Sequence, residues 1–528
     1  MNSQSCYRIC SIKISCFLSL CLGIFSSDLM GQTITRGPYL QQVTPDSIVV
    51  RWRTSTETTS RVAVGLVPGD TTIVATQSNS VNDHEVTVVG LSAATEYFYQ
   101  VGTTSQFLAG GDSNHRFRTA PVIGSTDPIR VWAIGDAGTA DANQAAVRDA
   151  YLNYAGTDST SVWLFLGDNA YDDGTDDEYQ SALFEVYPDL LRTTPFWSTR
   201  GNHERDLAVH YGICSNPTAS EAGGVASGTE SYFSFDHGNV HFICLDSQGS
   251  DRSPTGSMLS WLQADLANTL SDWIVAFWHH PPYTKGSHDS DDVGDSGGRM
   301  HDMRENALPI LEAGGVDLVL SGHSHCYERS FLIDGHYQES QTFDPTTMLI
   351  DGSSGDPSTT GPYSKLPLEP NEGAIYIVMG SSGKVSGGTF DHPIMHTSEP
   401  VLGSLVLDIV GTQLTGRMLR TDGSFEDVFA IEKSPTFSQF RRGDANGNGS
   451  LALSDVIFLL QYLFVSGTNL NCIDSGDVND DGSVALADAI SLLAYLFQGS
   501  SAPNAPGTTC GTDPTPDSLS CIQYAGCP

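Results

Sequence analysis

Five short apolar runs in the middle of the chain each end in a turn loaded with metal-ligand residue types. Ile129 to Ile134 leads into Gly135-Asp136-Ala137-Gly138, and Val162 to Leu166 leads into Gly167-Asp168-Asn169-Ala170-Tyr171. Phe196 to Arg200 leads into Gly201-Asn202-His203-Glu204, Trp273 to Trp278 into His279-His280-Pro281-Pro282-Tyr283, and Val316 to Ser321 into Gly322-His323-Ser324-His325. A lone Gly-Asp is usually a turn and a lone buried histidine a core residue. Five such turns in order, each at the end of a strand-like run, are a constellation. Carboxylate, imidazole, amide and phenol donors together suit borderline transition metals such as iron, zinc or manganese, not the all-oxygen shell of calcium. Two such cations about 3.5 to 4 Å apart can generate hydroxide near neutral pH and neutralise charge on phosphoryl oxygens, which is what hydrolysis of a phosphate ester needs.

The elements around these turns must bring them to one place. From Ile129 to about Glu432, strand-like runs alternate with helix-like segments such as Asp141 to Tyr154 and Met258 to Leu270, which is an α/β grammar. In such a sheet the carboxyl ends of the strands form the crevice where ligands bind, so the five turns are expected to converge. The glycine before each ligand is read as a residue that lets the backbone turn sharply. A stretch from about Asp334 to Glu372, rich in Gly, Ser, Pro and Thr, reads as a long surface excursion before a strand at Ala374 to Met379.

The flanking regions have other grammars. Residues 34–121 show short alternating runs, Ser47 to Trp52, Arg61 to Val67, His84 to Leu91, Glu96 to Val101 and His115 to Thr119. This is the pattern of a small antiparallel β-sandwich of fibronectin type III character. Residues 437–528 contain a repeat. Asp444, Asn446, Asn448, Ser450 and Asp455 stand at positions one, three, five, seven and twelve of a calcium-loop spacing with Gly449 at six. Asp477, Asn479, Asp481, Ser483 and Asp488 repeat it around Gly482. Each loop runs into a helix-like segment ending in Tyr-Leu-Phe, with no clear helix before it.

At the start of the chain, Arg8 and Lys13 precede the apolar run Ile14 to Phe25, and small and polar residues follow to Gly31. Residues 1–31 read as a cleaved secretory signal, since the run is shorter than the roughly 20 residues a membrane span needs. The expected location is secreted or periplasmic, with no membrane attachment after cleavage. Of eleven cysteines, four lie in that segment. Seven remain, an odd number that leaves one thiol over, and the last four (Cys472, Cys510, Cys521, Cys527) are expected to be bridged. A formal charge of -37, from 62 acidic against 25 basic residues, argues against nucleic acid and anionic membranes as partners.

Gly-Asp-x-Gly, Gly-Asp-x-x-Tyr, Gly-Asn-His-Glu, a His-x-Pro turn and Gly-His-x-His, in this order, resemble the motif set of the purple acid phosphatases within the calcineurin-like metallophosphoesterases. The likeness spans residues 127–432, and the preceding β-sandwich resembles the N-terminal domain of the larger members. The resemblance implies a central α/β/β/α sandwich and an exported phosphatase that hydrolyses small phosphate monoesters by metal-activated hydroxide attack. It implies that Asp136, Tyr171 and His325 hold Fe(III), that Asp168 bridges, and that Asn202, His279 and His323 hold a divalent zinc, iron or manganese. His279 is preferred to His280 because proline follows two residues later, although Pro282 keeps His280 open. His203 and His288 match histidines that bind the substrate phosphate, with Asn202, or protonate the leaving alcohol, work that suits a group titrating near working pH. Cys326, directly after His325, reads as a small buried residue. The C-terminal region resembles dockerin-type repeats, which would bind Ca2+ and a cohesin-like protein; a calcium-stabilised helical cap without a partner is the alternative. The rival functions are a phosphodiesterase on nucleotides or lipid headgroups, and a non-catalytic extracellular scaffold.

Overall fold

The structure is a computed structural model and describes residues 32–527 apart from 367–369, 434–438, 466–469, 471, 516–518, 520, 522, 523 and 525. The signal-like segment 1–31 and the first residues of the 437–528 region lie outside the described residues. Among the described residues, no helix is long and apolar enough to cross a membrane.

Two seven-stranded sheets form the centre of the fold. One runs in the order Tyr363–Lys365, Phe425–Lys433, Gln413–Arg420, Gly403–Val410, Ile129–Ile134, Val162–Phe165 and Phe196–Ser198. The other runs Phe233–His237, Val240–Cys244, Trp273–Trp278, Leu318–Ser321, Ile375–Met379, Tyr327–Ser330 and Met395–Glu399. The three strands that feed the first motif turns pair in parallel, as do the two that feed the last. Side chains on a strand alternate between faces, and here both faces are apolar. Val131 and Leu164 of the first sheet share a core with Val275, Phe277 and Leu320 of the second. Their sequence neighbours Trp132, Trp163 and Phe165 face outward against Tyr151, while Ile274, Ala276 and Trp278 face Leu259, Leu262 and Leu308. This is the expected α/β/β/α sandwich. Its helices Ala142–Ala155 and Ser257–Leu266 begin at Asp141, which caps Asn143 and Gln144, and at Gly256.

In the N-terminal region the runs Ser47 to Trp52 and Arg61 to Val67 belong to one strand, Ser47–Gly65, because the polar stretch between them stays paired. Its first half pairs with Ile34–Gln41 and its second with Glu96–Gly102, while Ile73–Val89 follows it across register shifts near Thr58. The six strands therefore form one continuous sheet. Arg36 and Arg53 grip Asp176 at 2.8 and 2.6 Å, and Tyr39 donates to the carbonyl of Ile213 at 3.0 Å, tying this region to the central domain.

The excursion read between Asp334 and Glu372 is only partly superficial. It contributes the strands Leu349–Asp351 and Tyr363–Lys365, and the buried Lys365 pairs with Asp317 at 2.9 Å. Three-residue strands carry too little periodicity to be seen in sequence. In the C-terminal region, helices Leu453–Phe464 and Leu486–Gln498 follow the two loops and enclose a small core around Val456, Leu459, Ala489 and Leu492. Cys472–Cys521 and Cys510–Cys527 are disulfides, as the clustering of these four suggested. Three buried thiols remain instead of one, Cys214, Cys244 and Cys326, because burial in the core keeps them apart.

His241 is buried between Asp236 Oδ1 at 2.7 Å and Asp265 Oδ2 at 2.9 Å, which fastens the Phe233–Cys244 hairpin to the helix Ser257–Leu266. Burial works against the imidazolium, but the two carboxylates prevail and raise its pKa to about 9. A raised pKa means stability fully present below the unfolded value near 6.5 and lost as pH rises through about 9. Replacing His241 by Gln should therefore lower stability by ~3 kcal/mol near pH 6, and by much less at pH 9.5. Thermal melting of both proteins across that range checks it; a constant gap would show that packing, not charge, is what His241 supplies.

Candidate metal centre

The five turns meet at the carboxyl ends of the two sheets, and all seven ligand candidates converge. Asp136 Oδ1 accepts from the Tyr171 hydroxyl at 3.1 Å and lies 3.5 Å from His325 Nε2. Asp168 divides its oxygens. Oδ2 accepts from Tyr171 at 3.2 Å, whereas Oδ1 is 3.4 Å from His279 Nε2. That same Nε2 is 3.1 Å from Asn202 Oδ1 and 3.2 Å from His323 Nδ1. The donors thus sort into a half made of Asp136, Tyr171 and His325 and a half made of Asn202, His279 and His323, with Asp168 between them.

Close approach, more than turning, explains the glycines. Of Gly135, Gly167, Gly201 and Gly322, only Gly167 has positive φ. A Cβ at Gly201 would come within 2.1 Å of Asp168 Oδ1, and one at Gly322 within 2.5 Å of Asp136 Oδ2. The left-handed conformation falls on the ligand candidates themselves, Asp136 (φ 53°), Asp168 (φ 53°) and His323 (φ 67°). Non-glycine residues adopt it at a cost, and such strain concentrates at functional sites.

The surroundings are dry and crowded with charge. Asp136, Asp168 and His279 are buried, and among the described residues no lysine or arginine forms an ion pair with either carboxylate. Burial, then Asp136 and Asp168, push the Tyr171 phenol well above its ordinary value. Burial disfavours the Asp136 carboxylate too, but His325 and then His279 hold it below the usual range. For His323, burial and then its neighbours His280, His279 and His288 hold the imidazole well below the usual range. Two carboxylates, a phenol and crowded imidazoles, with no lysine or arginine ion-paired to either carboxylate among the described residues, are a donor set that fits metal cations.

The remaining candidates lie at the rim. His203 donates its backbone N–H to Asp168 Oδ1 at 2.9 Å, and its ring sits 4.6 Å from Tyr171. The ring of His288 stacks 3.9 Å from His323, with Nδ1 2.9 Å from Asp295. One is beside each half. His280 Nδ1 is engaged by the Ser247 hydroxyl at 2.9 Å, while His279 faces the other donors with its Nδ1 turned to the Leu166 carbonyl at 2.9 Å.

Comparison with known proteins gives this geometry a context. Residues 129–327 match the calcineurin-like phosphoesterase family, and residues 37–119 match the purple acid phosphatase N-terminal domain. The central domain is a calcineurin-like phosphoesterase domain. Its class is that of metallophosphoesterase hydrolases. Purple acid phosphatase 15 of Arabidopsis thaliana is 27% identical over 277 residues, covering 47% of this chain and 49% of that protein. Purple acid phosphatase 22 of the same plant is 31% identical over 258 residues, covering 47% and 53%. The chain spans about half the length of the curated relatives it matches. The structure of purple acid phosphatase from yellow lupin (Lupinus luteus) seeds superposes with a TM-score of 0.56 at 18% identity, covering 75% of this chain and 74% of that one. It shows a shared fold.

Within the phosphoesterase domain, sequence reasoning gave no role to several residues that position the ligands. Glu204 is buried and accepts from the backbone N–H groups of Asp168, Asn169 and Gly201 at 3.0, 2.7 and 2.5 Å, clamping two ligand turns together. Burial, then the charge of Asp168, raise its pKa to about 7. Its place in Gly-Asn-His-Glu was its only signal. Lys384 stands 3.7 Å over the Tyr171 ring and Ser296 Oγ 2.6 Å from His323 Nε2; both come from loops without any motif. An amide cannot accept three N–H donors where a carboxylate does, so Glu204→Gln should cost about 1–3 kcal/mol of stability. It should also weaken metal retention by about 10–100-fold. Melting curves and metal analysis after dialysis check this; full metal content would show that the two turns hold themselves.

Proposed function

We propose that the chain is an exported phosphatase of purple acid type, hydrolysing phosphate monoesters. The observation that carries this is the division of Asp168 between two complete donor sets. Asp136, Tyr171, His325 and Asp168 would hold Fe(III); Asp168, Asn202, His279 and His323 would hold a divalent ion. Bound there, the pair supplies hydroxide near neutral pH and neutralises charge on the phosphoryl oxygens. The protein's own groups do the rest. Asn202 and His203 receive the phosphate, fixed through the His203 backbone bond to Asp168. His288, oriented by Asp295, carries a proton to the departing alkoxide. The disulfides of the tail support export to an oxidising compartment.

The tail reads as a calcium module. In each loop the first aspartate accepts from the backbone at positions five and six, Asp444 from Asn448 and Gly449 at 3.1 and 2.7 Å, and Asp477 from Asp481 and Gly482 at 3.2 and 2.8 Å. Asp455 and Asp488 accept from position three in both. All four carboxylates are buried. Burial raises Asp455 to about 6, helped by Asp444, and raises Asp488 as well. Facing carboxylates desolvated in this way favour a shared cation. The helices also expose Leu453, Ile457 and Phe464 and, at the equivalent positions of the second, Leu486, Ile490 and Phe497, a repeated apolar stripe that supports docking onto a cohesin-like protein.

The test is phosphate release from paired monoester and diester substrates across acid to alkaline pH, beside Asp168→Asn. Monoester turnover is expected, falling to background in the variant. Diester turnover alone would move the activity to a phosphodiesterase, and no turnover in the metal-loaded protein would favour a scaffold. Calcium should raise the melting temperature of the tail and leave monoester turnover within about twofold. A requirement for calcium in turnover would contradict a purely structural tail.

A further inference from the structure

Arg200, Arg252 and Arg299 come together on the flank of the His323 half of the centre. Arg200 reaches Asp246 at 3.2 Å through Nε. Arg252 donates through Nε to Asp302 at 3.1 Å and through Nη1 to the carbonyls of Ser247 and Ser250 at 3.2 and 3.1 Å. Arg299 donates to the carbonyls of Gln248 and Ser296 at 3.2 and 2.5 Å through Nε and Nη1. None of these bonds uses an Nη2 group, and the Arg200 and Arg252 side chains remain 12% and 18% exposed.

Short chains of contact lead from these anchors to the metal-ligand turns. The Ser296 that holds Arg299 has its hydroxyl 2.6 Å from His323 Nε2. The Ser247 that holds Arg252 has its hydroxyl 2.9 Å from His280 Nδ1, next to His279. Arg299 itself is lowered by burial and then by Arg252 and Arg200, which outweigh Asp246 and Asp302. In a chain with a formal charge of -37, cations crowded until they repel one another are not explained by anchoring a loop, which needs only the edges already used. The Nη2 groups of Arg252 and Arg299 remain as donors of fixed geometry for a phosphate or carboxylate oxygen, while that of Arg200 lies against Gly249.

We propose that Arg200, Arg252 and Arg299 form an anion subsite for a second phosphate or carboxylate of the substrate, so that favoured substrates are monoesters whose leaving group is itself anionic. This rests on the phosphatase reading for its first phosphate. It places the scissile phosphate at the metal-ligand turns and the second charge beyond His288 and His323, on the side from which the leaving group departs.

The test measures binding apart from turnover. The metal-loaded full chain is titrated calorimetrically with propane-1,3-bisphosphonate and with propylphosphonate, which differ only in the second anion. The wild type should prefer the bisphosphonate by about tenfold or more. In R252Q/R299Q that preference should shrink below about twofold. Should that variant not fold, Arg299→Lys, which keeps the charge and loses the fork, should reduce the preference severalfold. A wild type without preference, or a preference that survives both variants, overturns the subsite. Phosphate release from a sugar bisphosphate, run beside these titrations, reports on the phosphatase reading separately, since preference without turnover would remove that reading and keep the subsite.

Discussion

The Asp168 carboxylate, held in a dry site with one oxygen toward Tyr171 and the other toward His279, is the constraint from which the rest of the centre follows. A buried carboxylate so placed beside a second one, Asp136, is untenable without compensating cations. Among the described residues no ammonium or guanidinium group pairs with either, and imidazole and amide groups surround the pair instead. Its own backbone geometry concedes to that arrangement. Asp136, Asp168 and His323 sit in the left-handed region, and the neighbouring glycines give up their Cβ so that carboxylate oxygens can pass. Strain of this kind persists only where the surroundings over-determine it, and here two sheets with apolar cores on every face do so.

How much of this was legible in the sequence depended on how locally each feature is encoded. The ligand turns were visible because each is a contiguous motif after an apolar strand, and the structure joins all seven residues. The reason for their glycines was not visible, since a close approach between Gly201 and Asp168 is a contact between separate turns. Nor were Ser247, Ser296 and Lys384, which act on His280, His323 and Tyr171 from loops that carry no pattern. The strand Tyr363–Lys365 lay in a stretch whose composition reads as loop. Its buried Lys365 is explained by tertiary partners, the Asp317 carboxylate and the carbonyls of Val316 and Gly373.

The tail shows the opposite case, a loop geometry readable almost wholly from spacing. Its two loops repeat the same backbone bonds to Asp444 and Asp477 and to Asp455 and Asp488, because position within the loop fixes which N–H points at which carboxylate. What spacing could not show is the exposed side. Leu453 and Leu486, Ile457 and Ile490, and Phe464 and Phe497 stay exposed while Val456, Leu459, Ala489 and Leu492 of the same two helices are buried.

For the proposed activity on phosphate esters so acidic a chain poses a physical problem, and the distribution of its few cations is the answer. The long-range field of a chain with a formal charge of -37 disfavours the approach of a phosphate ester, but at physiological salt that field decays over about 8 Å. Beyond that distance net charge matters little; within it the groups at the site decide. Of 25 basic residues, Lys384 stands over Tyr171 on one side of the centre, and Arg252 and Arg299 stand behind His280 and His323 on the other. An acidic chain and cations at the rim are therefore compatible, and under the proposed activity the choice between anionic substrates would fall to the few side chains close enough to escape screening.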